Sequence, residues 1–132
     1  MVASWRIVKS RFAATAFDGE GARRNGGRWT SVGRRAVYTS STIALATLEM
    51  VAHLDSTGPL GAYSLFEAGI PESTIKSIDS GALPANWMEY PAPSELTKTG
   101  DTWLEEKEFA VLKVPSAVVG LEFNYLLNPL HR

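Results

Sequence analysis

The stretch from Ala36 to Leu54 most limits what this chain can fold into. Ala36-Val-Tyr-Thr39 is apolar and β-prone, which predicts a strand. Ser40, Ser41 and Thr42 follow, and hydroxyl side chains there suit a helix N-cap, because their oxygens can accept from the first unpaired backbone N–H groups. From Ile43 to Leu54 the residues are good helix formers without Gly or Pro. Apolar side chains fall on nearly every face, so the expectation is a well-buried helix.

The rest of the chain supplies further short elements. Trp5–Val8 reads as a first strand, and Phe17–Trp29, rich in Gly, Arg and Asn, as a loop. Gly61–Phe66 predicts a strand ended by Gly69-Ile-Pro71. Ser80–Pro93 reads as an ordered loop, Ser94–Leu104 as a short helix and Phe109–Val114 as a strand. Val118-Val119 and Tyr125-Leu-Leu127 suggest two more short strands. Strands and helices mix without regular βαβ alternation, so the fold class is α+β.

A chain of 132 residues, 45% hydrophobic and 20% charged, supports one compact domain over 1–132. There is no Cys, which removes disulfides and thiolate chemistry and suits a reducing compartment. No signal peptide is evident, and no run approaches the roughly 18 apolar residues of a membrane span. A cytoplasmic protein without membrane attachment is therefore expected. The net charge of −1 argues against general nucleic-acid binding. It conceals a cluster, Arg23, Arg24, Arg28, Arg34 and Arg35, that could hold a local anion.

Three residues stand out, each with two readings. Glu49 sits in the apolar run Leu45–Ala52. It is either on a solvated edge of the helix or a carboxylate kept for chemistry, since burying an unpaired one is costly. Tyr38 ends a strand just before a helix start, where ligands meet exposed N–H groups; otherwise it is a core or rim aromatic. Arg28 follows Gly26-Gly27, whose backbone can approach a ligand closely. It is either a bidentate phosphate contact or a solvated turn residue.

Taken in order, Gly26-Gly-Arg-Trp-Thr-Ser-Val-Gly33, Val37-Tyr-Thr-Ser-Ser41 and Leu45-Ala-Thr-Leu-Glu49 resemble the RES-domain toxins, the toxin halves of bacterial toxin–antitoxin pairs. Gly100-Asp-Thr-Trp-Leu104, Val114-Pro-Ser-Ala-Val118 and Asn124–His131 resemble the later motifs of that family, and Trp5-Arg6 its early aromatic–Arg pair. The resemblance implies an ADP-ribosyltransferase-like fold and NAD as substrate, with no resident cofactor. It gives Arg28, Tyr38 and Glu49 the family's Arg, aromatic and carboxylate roles, and matches Ser116 to the family Ser. Arg6 becomes an extra phosphate or ribose contact, and Asn124 a further substrate contact. It also implies a cognate antitoxin with an Xre-like DNA-binding part and a homo-oligomer within that complex. Family members usually run on past the Asn-Pro-x-His motif, whereas this sequence ends at Arg132, so a C-terminal extension would be missing and a sheet edge exposed.

The implied reaction suits these residue types. Breaking the nicotinamide–ribose bond builds oxocarbenium-like charge on the ribose. Nicotinamide leaves neutral from a cationic state, so no general acid is needed and one carboxylate, Glu49, can suffice. Arg28 and Arg6 would clamp the phosphates. Tyr38 would stack on nicotinamide or shape its pocket. Ser116 would meet the carboxamide or hold Glu49. The expected function is NAD degradation by hydrolysis or phosphorolysis. Protein ADP-ribosyltransfer and a non-catalytic anion-binding module are the alternatives. Glu49 and His53 share a helix spacing that can serve a metal, but with two His in the chain and no third ligand in view no metal site is expected. His53 reads as a core-edge residue, His131 as a cap or packing residue and Glu105–Glu108 as a solvated face. Trp87, Trp103 and Phe109 read as core.

Overall fold

The computed structural model describes residues 1–52 and 62–131. The reading of His53 falls outside those residues, as do the end of the Ile43–Leu54 helix and Gly61. In chain order the elements are β1 (Val2–Lys9), α1 (Glu20–Asn25), β2 (Val37–Ser40), α2 (Ile43–Ala52), β3 (Tyr63–Ile70), β4 (Ile75–Ser77), α3 (Glu95–Glu106), β5 (Val111–Pro115) and β6 (Phe123–Leu127). Short 3-10 turns at Ser10–Thr15, Glu72–Thr74 and Ser80–Ala82 complete them. The six strands form one sheet in the order β3-β1-β2-β6-β5-β4. Among the described residues, only the β4–β5 pairing is parallel. This is the α+β arrangement that the sequence predicts.

The sheet is not evenly knit. β1 and β3 pair along their whole length, from Val2↔Ile70 to Lys9↔Tyr63. β2 and β6 pair over four residues. Between β1 and β2 the register holds one pair, Trp5↔Ser40. That single pair joins the β3-β1 and β2-β6-β5-β4 parts of the sheet, and it lies two residues from Tyr38. The Arg6 guanidinium extends the junction, donating from Nη1 to the Tyr38 carbonyl at 2.9 Å.

One face of the sheet carries the main core. Leu112, Val114 and Leu126 pack there with Trp29, Leu96 and Trp103. In α3 the buried residues are Leu96, Gly100, Trp103 and Leu104, a spacing of four, three and one that puts all of them on one helix face. The Trp103 indole donates to the Phe109 carbonyl at 2.8 Å, so the polar edge of this core aromatic is satisfied. Trp87 and Phe109 pack against the same cluster, as expected of core residues. A smaller cluster of Ile70, Val111 and Tyr125 forms a second core.

Several expectations need correction. The helix after Tyr38 forms, and Thr42 caps it, its hydroxyl accepting from Leu45 N–H at 3.0 Å. It is not well buried, however. Only Leu45 and Ala46 are buried, while Ile43, Leu48 and Val51 are 43%, 47% and 53% exposed. Its contacts run to β1 and β2 along one side, and an apolar composition cannot by itself supply a second neighbour. Phe17–Trp29 is not all loop. Glu20 takes Arg23 and Arg24 as partners three and four residues on, which stabilises the short helix α1. Val118-Val119 is not a strand, because both N–H groups turn back to the Ser116 hydroxyl at 3.1 Å instead of joining a ladder. The helix predicted from Ser94 is also longer than expected, reaching Glu106. The Glu105–Glu108 run is exposed as predicted. His131 acts as a cap, its Nε2 lying 3.0 Å from the Lys107 carbonyl at the end of α3.

Candidate functional site

The site is built around Tyr38, the second residue of β2. Tyr38 pairs with Leu126, so it shares a sheet face with Ser40 and Asn124, two positions along each strand. Its hydroxyl accepts from Trp29 N–H at 3.1 Å and is hydrogen-bonded to the Thr30 hydroxyl at 2.8 Å. Burial raises the phenol pKa against the effect of these bonds, so Tyr38 is a neutral phenol at physiological pH. The Gly26–Thr30 loop is therefore pinned onto the Tyr38 ring. A side chain at Gly27 would collide with that ring, its β-carbon lying 2.6 Å from Cζ. On the other side, Gly100 lets α3 run against the backbone of Trp29.

This anchoring aims Arg28. Its Nη1 donates to the Trp87 carbonyl at 2.8 Å and the Glu89 carbonyl at 3.0 Å. Burial lowers the Arg28 pKa, while electrostatic interaction, with the Glu49 carboxylate foremost, acts in the opposite sense. An arginine remains cationic under such shifts. Glu49 sits half-buried on the second turn of α2, close enough for its carboxylate to be the main charge favouring the Arg28 cation. Arg28 is thus coupled electrostatically to Glu49 of α2, and its loop is anchored on Tyr38 of β2.

The other candidate residues support this place from behind. Arg6 donates from Nε to the Ala16 carbonyl at 2.6 Å and from Nη1 to Tyr38, so two of its donors are committed to main chain. Burial lowers its pKa and Asp18 acts to raise it. Asn124 is buried and donates from Nδ2 to the Thr39 carbonyl at 3.3 Å and the Ser40 hydroxyl at 3.2 Å, tying β6 to β2. Ser116 is fully buried, and its oxygen caps the turn that follows β5.

The arginine cluster is largely spent. Glu20 pairs with Arg23, Arg24 and Arg35, and Arg34 pairs with Glu105. Arg28 is instead held by the Trp87 and Glu89 carbonyls and coupled electrostatically to Glu49. A broad basic surface is thus not what these five arginines build. Among the described residues, no group of three or more His, Cys, Asp or Glu could hold a metal ion. Among the same residues, no helix is long and apolar enough to cross a membrane.

The profile of the RES domain family matches residues 3–132 of the chain. This chain belongs to the RES-domain toxin family. A relative from Yersinia enterocolitica named "Toxin Res" is 38% identical over 128 residues, covering 97% of this chain and 84% of that protein. A Sphingobium relative named "Prs ADP-ribosylating toxin" is 40% identical over 133 residues, covering 96% of this chain and 82% of that protein. The toxin–antitoxin complex MbcT–MbcA of M. tuberculosis contains a chain with a similar fold, with a TM-score of 0.74 at 18% identity over 95% of this chain and 72% of that one.

Within this RES domain, sequence reasoning missed four participants. Gly27 was visible as half of a glycine pair, but its role under the Tyr38 ring depends on a tertiary approach. Thr30 was one hydroxyl among many. The Trp87 and Glu89 carbonyls that hold Arg28 carry no side-chain signature at all.

Proposed function

We propose that this RES-family toxin cleaves the nicotinamide–ribose bond of NAD, which is its substrate and not a resident cofactor. The observation that carries the reading is the electrostatic coupling of a half-buried carboxylate, Glu49, to the cation of Arg28, whose loop is anchored on a neutral Tyr38. Glu49 orients a ribose hydroxyl and stabilises the positive charge that develops at the anomeric carbon. The C–N bond breaks with its electron pair passing to nicotinamide, which departs neutral. The ribosyl carbon is then captured by water or phosphate, and the acceptor loses a proton. Arg28, with Nη1 held by two carbonyls, offers its remaining N–H edge to the phosphates as a fixed point charge. Tyr38, whose hydroxyl is already bonded, shapes the floor of the pocket. Arg6, Asn124 and Ser116 hold the strands and turn that frame it.

A second reading, transfer of ADP-ribose to a protein, is favoured by the name of the Sphingobium relative. Both readings begin with the same bond cleavage and differ only in the acceptor. In either, the toxin acts in the cytoplasm, where NAD is abundant, and is restrained by a cognate antitoxin protein. That partner is supported by the fold likeness to a chain from a toxin–antitoxin complex, and we read it as carrying an Xre-like DNA-binding part.

The test is turnover of labelled NAD by wild type and Glu49→Gln. Wild type is expected to release nicotinamide, with the variant slowed by at least about a hundredfold, the scale of losing one electrostatic stabiliser. Free ADP-ribose, or its phosphorylated form in phosphate buffer, identifies degradation, and label retained on protein identifies transfer. Equal turnover by the two proteins would remove Glu49 from the mechanism.

A further inference from the structure

Two aromatic residues lie beside Arg28, and they are in opposite states. Tyr38 is committed: its hydroxyl is bonded to Trp29 and Thr30, and its ring lies under Gly27. Tyr90 is the reverse. It follows directly on Glu89, whose carbonyl accepts from Arg28 at 3.0 Å, and its side chain is 82% exposed. The backbone that carries it is nonetheless held. Arg28 grips the carbonyls on both sides of Met88, and the Met88 thioether end lies against Gly120 of the turn that Ser116 caps. Thr42, at the start of α2, donates to Glu122 of the same turn at 3.2 Å. The segment bearing Tyr90 is therefore fastened both to the loop of Arg28 and, through that turn, to the helix of Glu49, while the side chain itself is left open to solvent.

We propose that Tyr90 is a substrate-binding residue, a stacking platform for one of the planar nitrogen rings of the dinucleotide. The inference rests on the NAD reading above and deepens it. A rigidly presented aromatic face next to a phosphate-binding arginine is what a nucleotide ring needs, because stacking requires an open π-face and a backbone that does not have to be ordered on binding. Tyr38 cannot supply that face from under Gly27. Tyr90 takes no part in bond cleavage, so its contribution appears in substrate affinity and not in the chemical step.

The experiment compares steady-state NAD cleavage by wild type, Tyr90→Ala, Tyr90→Phe and Tyr90→Trp in the full chain. Tyr90→Ala is expected to raise KM about tenfold, the change that ~1.4 kcal/mol of stacking produces, with kcat within a factor of about two. Phe and Trp restore KM. Because the ring is exposed, melting temperatures should coincide, which separates this result from a folding defect. Competition by adenosine monophosphate and by nicotinamide then says which ring is held: the inhibitor weakened by Tyr90→Ala carries it. An unchanged KM in Tyr90→Ala overturns the proposal, as does a Phe variant as impaired as Ala, or a raised KM with neither inhibitor weakened. If wild type does not cleave NAD at all, the functional reading fails first, and that outcome is distinct from a failure of Tyr90 alone.

Discussion

A β-carbon placed on Gly27 would lie 2.4 Å from the hydroxyl oxygen of Tyr38. That oxygen is held by Trp29 N–H and the Thr30 hydroxyl, so the ring cannot swing aside without breaking bonds that position the Arg28 loop. Gly27→Ala should therefore cost about 1–3 kcal/mol, in the range of overpacking a tight site, and lower the melting temperature by about 5–10 °C. NAD turnover should fall further than stability does, because the displaced loop carries Arg28. The cause is checked in a Tyr38→Ala background, where Gly27→Ala should cost almost nothing. An undiminished cost there would place the clash elsewhere.

A harsher limit applies where α3 crosses the same loop. The β-carbon of an alanine at Gly100 would fall 1.7 Å from the Trp29 carbonyl oxygen, a backbone atom that cannot rotate away. Asp101, the next residue, holds the loop on α3 by accepting from Ser31 N–H at 3.1 Å and from the Ser31 hydroxyl. Gly100→Ala should thus separate the helix from the loop at a cost of roughly 3 kcal/mol or more, although alanine is the better helix former. Thermal melting checks this: a variant that melts with wild type would mean that the helix can pivot freely.

These two glycines show where sequence reasoning reaches and where it stops. Arg28, Tyr38 and Glu49 each break a local pattern, an arginine after paired glycines, a tyrosine at a strand-to-helix junction, a carboxylate in an apolar helix, but each alone has a bland reading as well, and the ordered resemblance to the RES family is what groups them. The α+β class and the core placing of Trp103 were legible from periodicity and composition. Burial of α2 was misjudged, since an apolar Ile43, Leu48 or Val51 records a preference and not the presence of a neighbour. The resemblance makes Ser116 and Asn124 substrate contacts, and a hydroxyl or amide has the same letter whether it meets a ligand, caps a turn or ties two strands. Only the register of β2 against β6, and the partners it brings, reveals their main-chain duties.

The arginine knot around Glu20 has a consequence in acid. Hydrogen bonds from Arg23 and Arg24 are the main reason the Glu20 carboxyl is held at about 2, below the ordinary 4.5. Its folded value is depressed, so the stabilisation is fully present above about 4.5 and is lost as the pH falls toward about 2. Glu20 is half-buried, but its partners Arg23 and Arg24 keep 42% and 70% of their side chains exposed, so the pairs are screened and the effect should be small and salt-sensitive. Melting curves of wild type and Glu20→Gln should differ by a constant offset from pH 7 to about 5 and converge near pH 2. A difference that grows as the pH falls would reverse the assigned sign.

Ser116 offers the sharpest contrast between a contact with substrate and support of the frame. Its hydroxyl oxygen accepts from both Val118 and Val119 N–H, and its own N–H donates to the Glu122 carbonyl at 2.9 Å, so one residue closes the turn between β5 and β6. Ser116→Ala leaves the two N–H groups without that acceptor, at a cost of about 1–3 kcal/mol if they stay buried. Its melting temperature should fall by several degrees. Well below that temperature, KM for NAD should stay within about twofold of wild type, because the turn re-forms once folded. A raised KM with an unchanged melting temperature would instead mean that the hydroxyl serves the substrate and that its two backbone bonds are incidental.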